Sequence, residues 1–148
     1  MTDGERKLLE LIRARQYYAR RLNEAKERLE RLGYKTTASY GSTGGGSGSG
    51  AGSKSKVEKI AEKKISLQSD IEKCSVKLDI VDTALACASL SRMEQSTLLW
   101  EAAGGHLSSL AASYDIYQSR IYKIRDKAIR KAYEALKREK PRFEANFR

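Results

Sequence analysis

The stretch LSSLAASYDIYQSRIYKIRDKAIRK, residues 107–131, decides how this chain is read. Helix-forming residues run through it, yet Ser113, Tyr114 and Asp115 interrupt them in mid-course. The apolar positions are Leu107, Leu110, Ala111, Tyr114, Ile116, Ile121, Ile124, Ala128 and Ile129. Leu110 and Ala111 face inward on one helix, and Ala111 is small where a crossing helix must come close. Ile121 and Ile124 return the packing from a second helix. Asp115 between them tolerates the left-handed backbone that a three- or four-residue corner needs. The spacing therefore predicts a helix-turn-helix, with the second helix starting near Tyr117 or Gln118.

Charge follows the same division. The chain of 148 residues has a formal net charge of +10, and between Ile116 and Tyr133 six basic side chains face one acidic one. A basic helix after a tight corner points to a polyanionic partner, double-stranded DNA. If the first turn of that helix enters a major groove, Gln118, Ser119, Arg120, Tyr122 and Lys123 are the candidates for base edges. Glutamine can pair with adenine there, and arginine or lysine with guanine. Arg125, Lys127, Arg130 and Lys131 lie farther along or around it and suit phosphates, which position without specifying. The bland alternative is a solvated basic helix of a bundle.

Upstream, residues 1–90 read as a helical arm. Leu8, Leu11, Arg15, Tyr18, Leu22, Ala25, Leu29 and Leu32 recur at steps of three and four, a coiled-coil-like stripe on a helix from about Glu5 to Leu32, which Gly33 would end as a left-handed cap. A second stripe, Val57, Ile60, Lys64, Leu67, Ile71, Cys74, Leu78, Val81, Leu85 and Ala88, marks a helix from about Lys56 to Leu90. Two stripes of about 37 and 47 Å, at ~1.5 Å per residue, predict an antiparallel hairpin or part of a multi-chain bundle. GSTGGGSGSGAGSKS, residues 41–55, separates them as a glycine-rich tether that cannot bury apolar surface. An inserted linker is the other reading of that tract, though Thr43 and Ala51 break any designed repeat.

A C-terminal domain is expected over residues 91–148. SRME, Ser91 to Glu94, has the form of a capping box. Its helix should present Leu98, Leu99, Ala102 and Ala103 as an apolar face, with Trp100 as a buried anchor, and end at Gly104 and Gly105. The last helix should reach about Lys140, where Pro141 stops it, leaving Phe143 and Phe147 in a frayed basic end from which they could dock on the domain or on a partner. The fold class is all-α: a long helical hairpin followed by a helix-turn-helix bundle.

Residues 98–129 resemble the ArpU and RinA type of phage transcriptional regulators, whose C-terminal part is similar to region 4 of sigma factors. The likeness lies in a helix, a glycine, the Leu110–Ala111 pair, an apolar residue at Ile116, and RIYKI leading to KAI. His106 and Tyr117 stand where a serine or threonine cap is common, and Tyr114 where leucine or methionine is usual. The resemblance implies a DNA-binding regulator of late or lytic genes in a phage or prophage, acting in the bacterial cytoplasm. RNA polymerase and a second copy paired through the arm are further possible partners.

Two other classes compete with that reading. A small terminase-like packaging subunit also joins a helix-turn-helix to an oligomerising stalk, and a helical adaptor for RNA polymerase would touch DNA incidentally. Catalysis finds no support in the sequence. There is a single histidine, His106; Cys74 and Cys87 lack a nearby base and zinc-site spacing, and read as reduced, semi-buried hydrophobes. The glycine tract lacks the lysine and hydroxyl of a phosphate loop. No cofactor or metal is expected. The N-terminal residues hold no apolar signal core, and no window is long and apolar enough to span a membrane.

Overall fold

The computed structural model describes residues 1–40 and 55–147, with side chains given for 1–33 and 55–147. The described residues form an all-α fold of six helices. These are α1 (Asp3–Arg13), α2 (Arg15–Tyr40), α3 (Lys56–Cys87), α4 (Arg92–Ala102), α5 (Leu107–Ser113) and α6 (Gln118–Glu139), followed by a 3₁₀ turn, Phe143–Phe147. No helix among them is long and apolar enough to cross a membrane. Most of the glycine-rich tether, residues 41–54, falls outside the described residues.

The chain divides into two compact units, residues 1–19 with 75–148, and residues 20–74. This differs from a division at residues 90 and 91. The helix expected from Glu5 to Leu32 also breaks, at Ala14. The separate α1 carries Leu8, Leu9, Leu11 and Ile12, all buried, into one core with Leu98, Ala128, Ile129, Ala132, Tyr133 and Leu136. A stripe of period three to four names Leu8 and Leu11, but a helix surrounded by several partners buries a wider face. The same happens late in α3, where Ile80, Val81 and Ala84 are buried and the expected Leu78 and Leu85 only partly so. Arg15 pairs with Asp82 at 3.1 Å and Lys77 donates to the Tyr18 hydroxyl at 3.1 Å, so rising numbers on α2 meet falling numbers on α3 in this unit.

The second unit is thinner. Ala25 and Cys74 are its buried apolar residues; Leu22, Leu29, Ile60, Leu67 and Ile71 are half-buried; and Val57, expected in the stripe, is 72% exposed. Gly33 does not cap α2, which continues to Tyr40. Cys87, in the first unit, is exposed, whereas Cys74 is buried.

Within the first unit, two helix ends are built alike. After α4, the Gly104 amide donates to the Glu101 carbonyl and the Gly105 amide to the Trp100 carbonyl, both at 3.0 Å, with Gly104 at φ 78°. After α5, the Asp115 amide donates to Ala112 at 3.2 Å and the Ile116 amide to Ala111 at 3.0 Å, with Asp115 at φ 53°. Both patterns are Schellman caps, in which one left-handed residue lets two amides satisfy the last carbonyls. Asp115 takes the place that glycine usually fills, as the sequence led us to expect.

Three details of the sequence reading are corrected. Trp100 is not a buried anchor: it is 38% exposed, and its indole Nε1 donates to the His106 carbonyl at 2.8 Å, closing the α4–α5 loop. The indole lies so close to Gly105 that a Cβ there would stand 2.3 Å from Nε1. Leu99 is 51% exposed and Ala103 is exposed, so the inward face of α4 is Glu94, Thr97, Leu98, Glu101 and Ala102. Phe143 is not frayed: it is 2% exposed and meets Tyr133 and Phe147 edge-on, at ring-centre distances of 5.5 and 5.2 Å.

Candidate nucleic-acid interface

The corner between α5 and α6 has its own small core of Leu107, Leu110, Ala111 and Ile121, with Ile116 and Ile124 packed against it. Ile121 is fully buried, and Ala111 is 1% exposed where the helices cross. Burying an isoleucine of this kind contributes about 1.5–3 kcal/mol. Neither His106 nor Tyr117 makes a side-chain cap bond at the start of its helix. The packing and the Schellman cap therefore carry the corner without them. Tyr114, counted among the apolar positions, is 41% exposed.

This core sets which side of α6 points outward. Gln118, Ser119, Arg120, Tyr122 and Lys123 are all exposed, as are Tyr114 and Tyr117 beside them. Gln118, Ser119, Arg120 and Lys123 make no side-chain hydrogen bond or ion pair with the described residues. Tyr122 lies face-on to Arg125, whose guanidinium carbon is 5.1 Å from the ring centre. Helical spacing places these side chains on the first two turns of α6.

The four residues assigned to phosphates are arranged differently. Arg125 is turned inward, with its side chain 15% exposed. It donates from Nε and Nη2 to Asp126 at 3.0 and 2.8 Å, and Nη1 lies 4.0 Å from Glu101. Lys131 donates to both oxygens of Glu94, at 3.1 and 2.9 Å. Arg130 lies 4.0 Å from Glu5 yet keeps a side chain 67% exposed. Lys127 is exposed. Of the four, Lys131 is thus held by the buried Glu94 of α4 and Arg125 by its neighbour Asp126, while Lys127 and Arg130 stay open.

Those carboxylates were not legible as a group. Glu5, Glu94 and Glu101 are 6%, 5% and 4% exposed, and burial of an unpaired charge costs several kcal/mol. Each has cations or amides to offset it. Glu5 and Glu94 complete capping boxes with Thr2 and Ser91. At Glu94, burial opposes ionisation, but hydrogen bonds from Lys131 and the Ser91 amide, with the charges of Lys131 and Lys127, outweigh it and hold the pKa below its ordinary value. Glu101 accepts from Arg13 Nε at 2.9 Å and Nη2 at 3.2 Å. That hydrogen bond, opposed by burial and helped by the charge of Glu101, raises the pKa of Arg13. The available signal was the spacing of positions 94, 97, 98 and 101, which lie on one face of a helix.

No group of three or more metal-ligating side chains occurs among the described residues. The chain matches no protein-family model, no curated protein and no solved structure.

Proposed function

We propose that this protein is a sequence-specific DNA-binding regulator that reads the major groove with the first two turns of α6. The observation that carries the proposal is the Asp115 corner, which buries Ile121 and leaves Gln118, Ser119, Arg120, Tyr122 and Lys123 exposed together. The net charge of +10 supports a polyanionic partner. The resemblance to ArpU and RinA type regulators supports a phage or prophage setting in a bacterial cytoplasm, with RNA polymerase as a further partner. The thin apolar stripe of residues 20–74 supports pairing with a second copy, since a two-helix seam this lightly covered contributes little stability alone.

Selection of bound sequences from a random duplex library, at near-physiological salt, tests the reading, because counterion-driven non-specific binding is weak there. A discrete enriched motif is expected. Retention of DNA at low salt with no enrichment would make α6 a generic anchor. A large ring in light scattering would then favour a packaging subunit, and loss of all DNA binding would favour an adaptor.

A further inference from the structure

A cavity of about 350 Å³ opens beside the exposed face of α6, lined by residues of α1, α4, the α4–α5 loop, α5 and α6, among them Arg13, Glu101, His106, Ser108 and Tyr122. Its lining includes Glu101, whose side chain is 5% exposed, and one guanidinium, Arg13, 48% exposed. Glu101 takes the Nε and one Nη2 hydrogen of Arg13, leaving three N–H groups of that fork without a described protein partner. The buried carboxylate thus fixes the plane of the guanidinium while its free edge stays open. Tyr122 is shared between this cavity and the face assigned to base edges. Arg125, the sequence-based candidate for a phosphate at this level of α6, is held back by Asp126 and Glu101.

From this juxtaposition we infer that the cavity is a seat for a backbone phosphodiester of the bound DNA, with Arg13 as its cation and Glu101 as the residue that positions Arg13. The inference rests on the DNA-binding reading and adds a contact from a helix to which the sequence assigned none. A guanidinium fork matches two phosphate oxygens at once, whereas the Glu101 carboxylate repels an anion. Ser108 and Tyr122 are the lining residues that carry hydroxyl groups as neutral donors.

Trp100 and His106 give the site its own reporters. Each is the only residue of its type in the chain, and the indole is bonded to the His106 carbonyl at the cavity wall. The experiment compares the full chain with Arg13→Gln in two arms. In the first, duplex affinity is followed against salt: the substitution should lower the slope of log affinity on log salt by about one and weaken enriched and random duplexes alike. In the second, inorganic phosphate is titrated at constant ionic strength, and Trp100 emission and the His106 ring resonances should shift saturably in the wild type and not in Arg13→Gln. Should Arg13→Gln fail to fold, Ser108→Glu places a carboxylate in the lining from an exposed position and should abolish the phosphate response. An unchanged salt slope in Arg13→Gln, or a phosphate response that survives either substitution, overturns the assignment. If the wild type binds no duplex, the DNA-binding reading fails, and the phosphate arm decides the cavity by itself.

Discussion

Replacing Asp115 tests the corner on which the site depends. At φ 53° an L-residue is in the left-handed region, which costs roughly 1–2 kcal/mol for most side chains and less for aspartate. Asp115→Gly removes that cost but widens the unfolded ensemble, which is worth about 0.4–1 kcal/mol in the opposite direction. The net expectation is a gain of about 0.5 kcal/mol. Asp115→Val puts a β-branched side chain there and should lose about 2 kcal/mol, because relieving its strain means giving up the Ile116–Ala111 and Asp115–Ala112 amide bonds. The compact unit containing the corner has about 90 residues, a size at which 1 kcal/mol shifts Tm by roughly 4–8 °C. Heat and urea denaturation followed by far-UV circular dichroism would show a rise of about 2–4 °C for glycine and a fall of roughly 8 °C or more for valine. A valine variant as stable as the wild type would refute the left-handed corner and the helix crossing built on it.

Other substitutions probe the packing that holds α6. Gly4→Ala would set a Cβ 2.2 Å from the Tyr133 hydroxyl, which is donated to Glu144 in a ring held by Phe143, so overpacking of about 1–3 kcal/mol should exceed the helix-propensity gain of about 1 kcal/mol in urea denaturation. Phe143→Ala should cost about 3–5 kcal/mol by the same measurement, and a loss below about 1 kcal/mol would show that the C-terminal turn does not dock. Glu94 has a folded pKa below its ordinary 4.5, so the stability it contributes is fully present above that value and is lost as pH falls through the folded pKa. Denaturation midpoints should therefore fall as pH drops below about 4.5, and Glu94→Gln should be less stable at neutral pH with a shallower acid limb. Lys131→Ala should also lower stability by releasing the buried Glu94, an effect that a purely phosphate-binding lysine would not produce.

The parts of the fold legible in the sequence were those governed by local geometry. The Ser91–Glu94 box and the corner at Asp115 follow from capping and turn chemistry, which a few neighbouring residues decide. The break at Ala14 was not legible, because leucine and isoleucine at positions 8, 9, 11 and 12 fit one continuous amphipathic helix as well as a short one packed against α4 and α6. Burial of Glu94 and Glu101 was hidden for a related reason. A carboxylate is read as solvated until its cations are known, and Arg13 and Lys131 lie 88 and 37 residues away in sequence. Lys131 is engaged by Glu94 for the same reason, and Arg125 by its neighbour Asp126, while Gln118, Ser119, Arg120, Tyr122 and Lys123 are exposed.

The most direct measurement is the affinity of wild type and Arg120→Ala for a duplex enriched from a random library and for a random-sequence duplex, at one near-physiological salt concentration. Arg120 is exposed on the first turn of α6 and carries no ion pair with the described residues. The account predicts that the substitution weakens the enriched duplex by about 1–3 kcal/mol, relaxes preference at one position, and changes random DNA far less. Equal losses on both duplexes, or no duplex that the wild type prefers, would contradict it.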